Sequence, residues 1–195
     1  PQTKGTRQRG GERGLYARGS LPSTNIVTPG VRTVHHQALL EHLSMRAGAL
    51  LGLAVARTDY VDFGAERAIV VERFDRTREA GRVRRLHSED LCQSLGVREK
   101  YEESGGPGVV DIVRFLRAAT PTARRSREAV EAFLDGVVFN VVIAAPDAHA
   151  RNYSVLLQGD DVRLAPLYDV ATGLAYDPRP GAGGTGRRHG HSRPD

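Results

Sequence analysis

The segment 126–144 restricts the fold of this chain more than any other. Its Val130, Phe133, Leu134, Val137, Val138, Val141 and Val142 cover more than half of a helical circumference, so the periodicity predicts a helix running through the interior of a helical domain. A polar stretch follows at once. Beyond it, the runs 153–157 and 162–165, separated by Gly159-Asp160, predict a hairpin.

Upstream, strands come first and helices later. After Thr33, a candidate N-cap, Leu39, Leu40, Leu43, Ala47, Leu50 and Leu51 recur at three- and four-residue spacing, which sets them on one face of an amphipathic helix ending near Gly52. The runs 53–60 and 67–74, rich in Val, Ile and aromatics with Gly64 between them, predict an antiparallel strand pair. A third strand is expected around 83–86, and helices at 89–95 and 109–119. The ordered core is expected to span 15–176. A flexible segment, 1–14, precedes it, and a Gly/Pro/Arg tail, 177–195, is predicted to be disordered because it has almost nothing to bury.

At 195 residues the chain can build a substantial core from burial alone. The single Cys92 excludes an internal disulfide and, with no Cys or His at ligand spacing, argues against structural zinc, so a reducing, cytoplasmic compartment is expected. No run of about eighteen apolar residues exists, and no membrane association is expected. The net charge of +5 permits attraction to nucleic acid or to an acidic partner. Much of it sits in Lys4, Arg7, Arg9 and Arg13 at one end and Arg179, Arg187, Arg188 and Arg193 at the other. Both groups lie in Gly/Pro-rich sequence, and direct nucleic-acid contact is therefore not expected. The cluster Arg124-Arg125-x-Arg127 at a helix start is a further, weaker candidate for a DNA-binding module.

The polar stretch behind the apolar helix reads Ala145-Pro146-Asp147-Ala148-His149-Ala150-Arg151-Asn152, and the hairpin delivers Leu167-Tyr168-Asp169-Val170. Phosphoryl transfer needs a carboxylate to orient the attacking hydroxyl and oxygen ligands for the magnesium that bridges the phosphates. Kinases set these out as D-x-x-x-x-N followed by an Asp beyond a hairpin. Asp147, Asn152 and Asp169 fit that spacing. Taken singly, each also fits an ordinary role: Asp147 capping a turn, Asn152 satisfying loop backbone, Asp169 opening a polar turn. The helix before them and the hairpin between them favour the chemical role. The fold class expected is α+β and protein-kinase-like, with a partial β-rich upper lobe and a mainly helical lower lobe carrying the catalytic-loop hairpin.

Asp147-Ala148-His149-Ala150-Arg151-Asn152-Tyr153-Ser154 resembles the D-x-H-x-K-N-x-S catalytic loop of the HipA family of toxin kinases. Four other stretches are similar in the same order. Leu21-Pro22-Ser23-Thr24-Asn25-Ile26-Val27 resembles the strand approaching the ATP lysine, and Val71-Glu72-Arg73-Phe74-Asp75 the hinge that contacts adenine. His87-Ser88-Glu89-Asp90-Leu91-Cys92-Gln93 resembles the helix that follows, and Gly105-Gly106-Pro107-Gly108 stands in register with the family. The resemblance implies an ATP- and Mg²⁺-dependent serine/threonine kinase with Asp147 as catalytic base toward a protein hydroxyl and Asn152 and Asp169 as Mg²⁺ ligands. It implies nucleotide contacts from the backbone of Glu72, Arg73 and Phe74, and from Arg151, which stands where the family usually has lysine. Tyr168 is counted with them. His149 either contacts nucleotide or, as a packed histidine, positions the loop.

The sequence departs from the family pattern in one residue that matters. The family reads approximately T-H-I-x-K-P-G, whereas this chain reads Thr24-Asn25-Ile26-Val27-Thr28-Pro29-Gly30, with Thr28 in the place of the ATP lysine. Losing that cation removes electrostatic stabilisation of order several kcal/mol from a desolvated site. Gly10, Gly11 and Gly14 only weakly imitate a phosphate-covering loop. The chain thus reads as a truncated or degenerate member: a kinase, or a catalytically dead kinase-like protein that contacts an antitoxin-like, DNA-binding partner.

Overall fold

The computed structural model describes residues 5–8, 15–16, 22–30, 36–64 and 66–176. In chain order the elements are β1 (Gly5–Gln8), β2 (Leu15–Tyr16), β3 (Asn25–Pro29), α1 (Gln37–Leu50), β4 (Thr58–Asp62), β5 (Arg67–Glu72), β6 (Arg76–Glu79) and β7 (Arg82–Arg85). There follow β8 (His87–Asp90), α2 (Leu91–Leu95), α3 (Val109–Ala119), α4 (Ala123–Val142), β9 (Ser154–Gln158) and β10 (Asp161–Leu164).

An antiparallel sheet in the order β2-β1-β3-β5-β4 forms the first half of the molecule. The register sets Ile26 opposite Val71 and Thr28 opposite Ile69, so these four side chains share one face, which β-branched residues suit. The strand pair expected from 67–74 is β4–β5. However, the run 53–57 is not part of it: Val55 instead forms a parallel bridge with Leu167. Ala56 N donates to Leu167 O at 2.9 Å and Leu167 N to Ala54 O at 2.8 Å. The backbone that could have lengthened β4 is thereby spent on a connection far along the chain. The strand expected near 83–86 is β7, paired with β6 in a separate hairpin.

Part of the segment expected to be flexible, 1–14, takes a place in the sheet, because β1 pairs through its backbone with β3 and needs no apolar side chain to do so. The rest of that segment, with Gly10, Gly11, Gly14 and Lys4, lies outside the described residues, as do the N-cap candidate Thr33 and the tail 177–195.

Both long helices present different faces from those expected. Helix α1 buries Ala38, Glu41, Ser44, Met45 and Gly48, while Leu50 is 82 % exposed and Leu51 73 %. The small residues decide this. A side chain at Gly48 would sit 3.2 Å from Val55 and 3.3 Å from Phe139, so only a face lined with small groups can approach α4 this closely. Helix α4 is one-sided rather than interior: Val130, Phe133 and Phe139 are buried, but Val141 is 75 % exposed and Val142 70 %. Its inner face packs with Met45, Leu91, Leu116, Tyr153 and Val155 into the main core. The second sheet, β10-β9-β8, continues that core. Among the described residues, no helix is long and apolar enough to cross a membrane.

Candidate active site

Two stretches of irregular backbone carry the site, and the core holds both. Helix α4 ends in a turn at Ala144, whose φ of 47° breaks the helical path. The chain then runs through Asp147 to a 3₁₀ turn, Ala150–Asn152, and into β9. Asn140 Nδ2 donates to the Tyr153 hydroxyl at 2.8 Å and anchors this loop to the helix. The second stretch follows β10. The bridge from Leu167 to Val55 fixes its entry, and Gly173 N bonds to Ala144 O at 3.0 Å on its way out. Between them Asp169 has a φ of 58°, the left-handed region that non-glycine residues seldom occupy and that clusters at functional sites.

The Asp147 side chain is 67 % exposed. It accepts a hydrogen bond at Oδ1 from the Tyr101 hydroxyl at 2.6 Å, with Lys100 Nζ and His149 Nε2 each 3.5 Å from the same oxygen. Partial burial works against its charge, but the Tyr101 hydrogen bond and the neighbouring His149 and Lys100 outweigh it and hold the carboxyl below its ordinary range. His149 is 9 % exposed. Burial pulls its pKa down, with Asp147 opposing, and its Nδ1 has no partner among the described residues. Its side chain is packed into the loop.

Asn152 is buried, and its Nδ2 donates to Asp169 O at 3.3 Å. Its Oδ1 is buried without a partner among the described residues, a costly state for an amide oxygen unless a ligand completes it. An orphaned oxygen beside an aspartate in a left-handed turn suits a hard, oxygen-seeking cation such as Mg²⁺.

A cleft of about 330 Å³ opens between the sheet and these loops, lined among others by Ile26, Thr28, Val71, Phe74, Tyr168 and Asp169. A smaller hollow of about 160 Å³ holds Asp147, Asn152 and Asp169. A larger one, about 430 Å³, lies against Arg46, Arg57 and Asp59 and includes none of those three. Of the hinge amides, Glu72 N already donates to Arg57 O at 2.8 Å and Arg73 N to Thr24 O at 2.9 Å. Among the described residues the Phe74 amide has no backbone partner. The Arg73 side chain grips Asp75 at 2.5 Å, and Arg76 reaches the same carboxylate at 2.8 Å. Burial opposes the Asp75 charge, yet the two guanidiniums hold its pKa low. Tyr168 packs on Phe74 with ring centroids 5.2 Å apart, and its hydroxyl meets Ser154 Oγ at 2.6 Å. Burial pushes the Tyr168 pKa up to about 12. Arg151 lines the cleft while its guanidinium donates to Arg98 O.

Reading the sequence missed Glu41, Tyr101 and Lys100. Glu41 is buried on α1 and lines both the cleft and the smaller hollow. The signal for it was an acid spaced with Ala38, Met45 and Gly48 on the face of small residues. In the weaker DNA-binding candidate, Arg125 is paired with Asp161 and Arg124 with Glu128, so two of its three guanidiniums are already engaged.

Antiparallel sheets and a helical half meet at one cleft, with two aspartates and an asparagine on loops beside it, in a mixed fold of helices and strands. The model of the HipA-like C-terminal domain matches residues 3–193, and the chain belongs to that family. The chain is 37 % identical over 157 residues to the putative kinase Y4mE of Sinorhizobium fredii, covering 79 % of this chain and 37 % of the relative. It is also 37 % identical over 178 residues to the serine/threonine-protein kinase toxin HipA of Shewanella oneidensis, covering 86 % of this chain and 41 % of the relative. The chain thus spans well under half the length of either relative. Among solved structures, the Shewanella oneidensis HipA, HipB and operator DNA complex superposes with a TM-score of 0.77 at 33 % identity, covering 90 % of this chain and 43 % of the other. The Helicobacter pylori proinflammatory kinase CtkA superposes with a TM-score of 0.55 at 13 % identity, over 76 % and 52 % of the two chains, a likeness of fold alone.

Proposed function

We propose that this chain carries the nucleotide- and metal-binding region of a HipA-type serine/threonine kinase that transfers the γ-phosphate of ATP to a protein hydroxyl. The observation that carries the reading is Asn152 Oδ1, buried and without a partner among the described residues, beside Asp169 in a hollow that Asp147 also lines. Asn152 and Asp169 would hold Mg²⁺. Asp147 orients the acceptor hydroxyl and takes its proton, and its neighbours favour the charged form that accepts the hydroxyl's hydrogen bond. Bound Mg²⁺ neutralises charge on the phosphates. Val71, Phe74 and Tyr168 offer apolar surface to the adenine, with the Phe74 amide as donor at its edge.

A second reading rests on Thr28. It is buried, lines the cleft and brings no cation to the phosphates. On this reading the chain is a catalytically dead kinase-like protein that contacts an antitoxin-like DNA-binding partner, in keeping with the HipA, HipB and operator DNA assembly that it resembles. Thermal unfolding with ATP, with and without Mg²⁺, tests the first reading. A Mg²⁺-dependent rise in midpoint, lost in Asp169→Ala, is expected. A folded protein with no shift removes the kinase reading in favour of the second.

A further inference from the structure

The Gly105-Gly106-Pro107-Gly108 motif lines neither the cleft nor the smaller hollow, and its surroundings give it another task. Residues 99–108 fold back on themselves so that Tyr101 O accepts from Gly106 N at 2.8 Å and from Ser104 N at 3.1 Å. A side chain at Gly106 would lie 2.7 Å from Glu99 O and 2.8 Å from Tyr101 O, contacts with backbone that no rotamer relieves. At Gly108 it would run into the Glu102 carboxylate. Only glycine lets the loop close this tightly. The closed loop is docked on the catalytic stretch: Ala150 N bonds to Lys100 O at 3.3 Å and Arg151 to Arg98 O, while Cys92 Sγ holds Glu99 O at 3.3 Å.

The docking delivers the Tyr101 hydroxyl to Asp147 Oδ1 at 2.6 Å. Tyr101 is itself braced, with Lys100 Nζ 4.6 Å from its ring centroid and His149 edge-on at 5.3 Å. All three polar neighbours of Asp147 among the described residues fall on Oδ1, which leaves Oδ2 without a partner among them on a side chain that is 67 % exposed. We propose that residues 99–108 are a working part of the site, with Tyr101 as the positioning residue that fixes the Asp147 carboxylate and leaves Oδ2 for the acceptor. The inference rests on the reading of Asp147 as the group that orients that acceptor. An aspartate held by one oxygen loses a rotational freedom that would otherwise be restricted only at the moment of reaction.

The test uses Mg²⁺-dependent release of inorganic phosphate from ATP, with water as acceptor, alongside ATP affinity and hydrogen exchange at the Ala150 amide. Tyr101→Phe keeps the ring and is expected to lower kcat about tenfold, with KM and ATP affinity within about twofold. In an Asp147→Asn background the same change should cost nothing further, since the two residues act as one unit. Gly106→Ala should speed exchange at Ala150 by about tenfold or more in the nucleotide-free protein, a readout that needs no turnover. Full activity in Tyr101→Phe, additive losses in the double variant, or unchanged exchange in Gly106→Ala each overturn the inference. Turnover that is absent, or indifferent to Asp147→Asn, removes the reading of Asp147 and the inference with it.

Discussion

Thr28 is the residue to alter first, because among the described residues the cleft is lined by Arg73 and Arg151 but by no lysine. Replacing a buried hydroxyl by an ammonium that reaches the phosphates supplies the missing counter-charge. Thr28→Lys is expected to tighten Mg²⁺-dependent ATP binding about tenfold by calorimetric titration, roughly 1.4 kcal/mol. His42 makes a different prediction at the same scale. Its Nδ1 meets Thr58 Oγ1 at 2.9 Å, and burial, helped by Arg46 and opposed by Asp59, lowers its pKa. The unfolded chain therefore binds a proton that the folded state refuses. The resulting stability is present above the ordinary imidazole value of about 6.5 and is lost as pH falls through the depressed value. His149 shifts in the same direction. The thermal midpoint should drop from pH 8 to pH 5, and His42→Gln should flatten part of that slope.

Helix α4 shows how an element can be recognised while its orientation is not. Its apolar residues cover most of the circumference, but Gly136 marks the inner side. A side chain there would meet Leu167 at 2.8 Å and Tyr153 at 3.3 Å, so the segment leading to Asp169 and the ring after Asn152 lie directly on it. Valines on the opposite side carry no such contacts. Val141→Lys should therefore change the denaturant midpoint by no more than about 0.5 kcal/mol equivalent, whereas Phe133→Ala, which empties a fully buried ring site, should cost about 3–5 kcal/mol. Helix α2 depends instead on its start, where Asp90 and Gln93 form a capping box. Asp90→Ala should remove about 1 kcal/mol by the same measurement.

At the scale of the whole molecule, the cleft is the seam between the two halves. Among the described residues, the Val55–Leu167 bridge and the bond from Thr172 N to the Ser44 side chain at 3.0 Å tie the two halves together. A ligand touching Val71 on one side and Asp169 on the other adds to these ties and stabilises both halves together. At a concentration about a hundredfold above its dissociation constant, Mg²⁺-ATP should contribute about 2.7 kcal/mol. For a domain of this size that is a rise of roughly 5–10 °C in midpoint.

The sequence by itself determined the local arrangements. The spacing of Asp147, Asn152 and Asp169, the hairpin between them and the strand pair around Gly64 are all written within short windows, where turn chemistry and alternation act directly on neighbouring residues. Tertiary structure alone decided the rest. The α1 face was chosen by how closely Gly48 could approach Val55 and Phe139, a matter of distance that outweighs a longer row of leucines. Tyr101 reaches Asp147 across 46 residues, and no periodicity records such a meeting, because it depends on loop closure at Gly106 and on docking against Ala150.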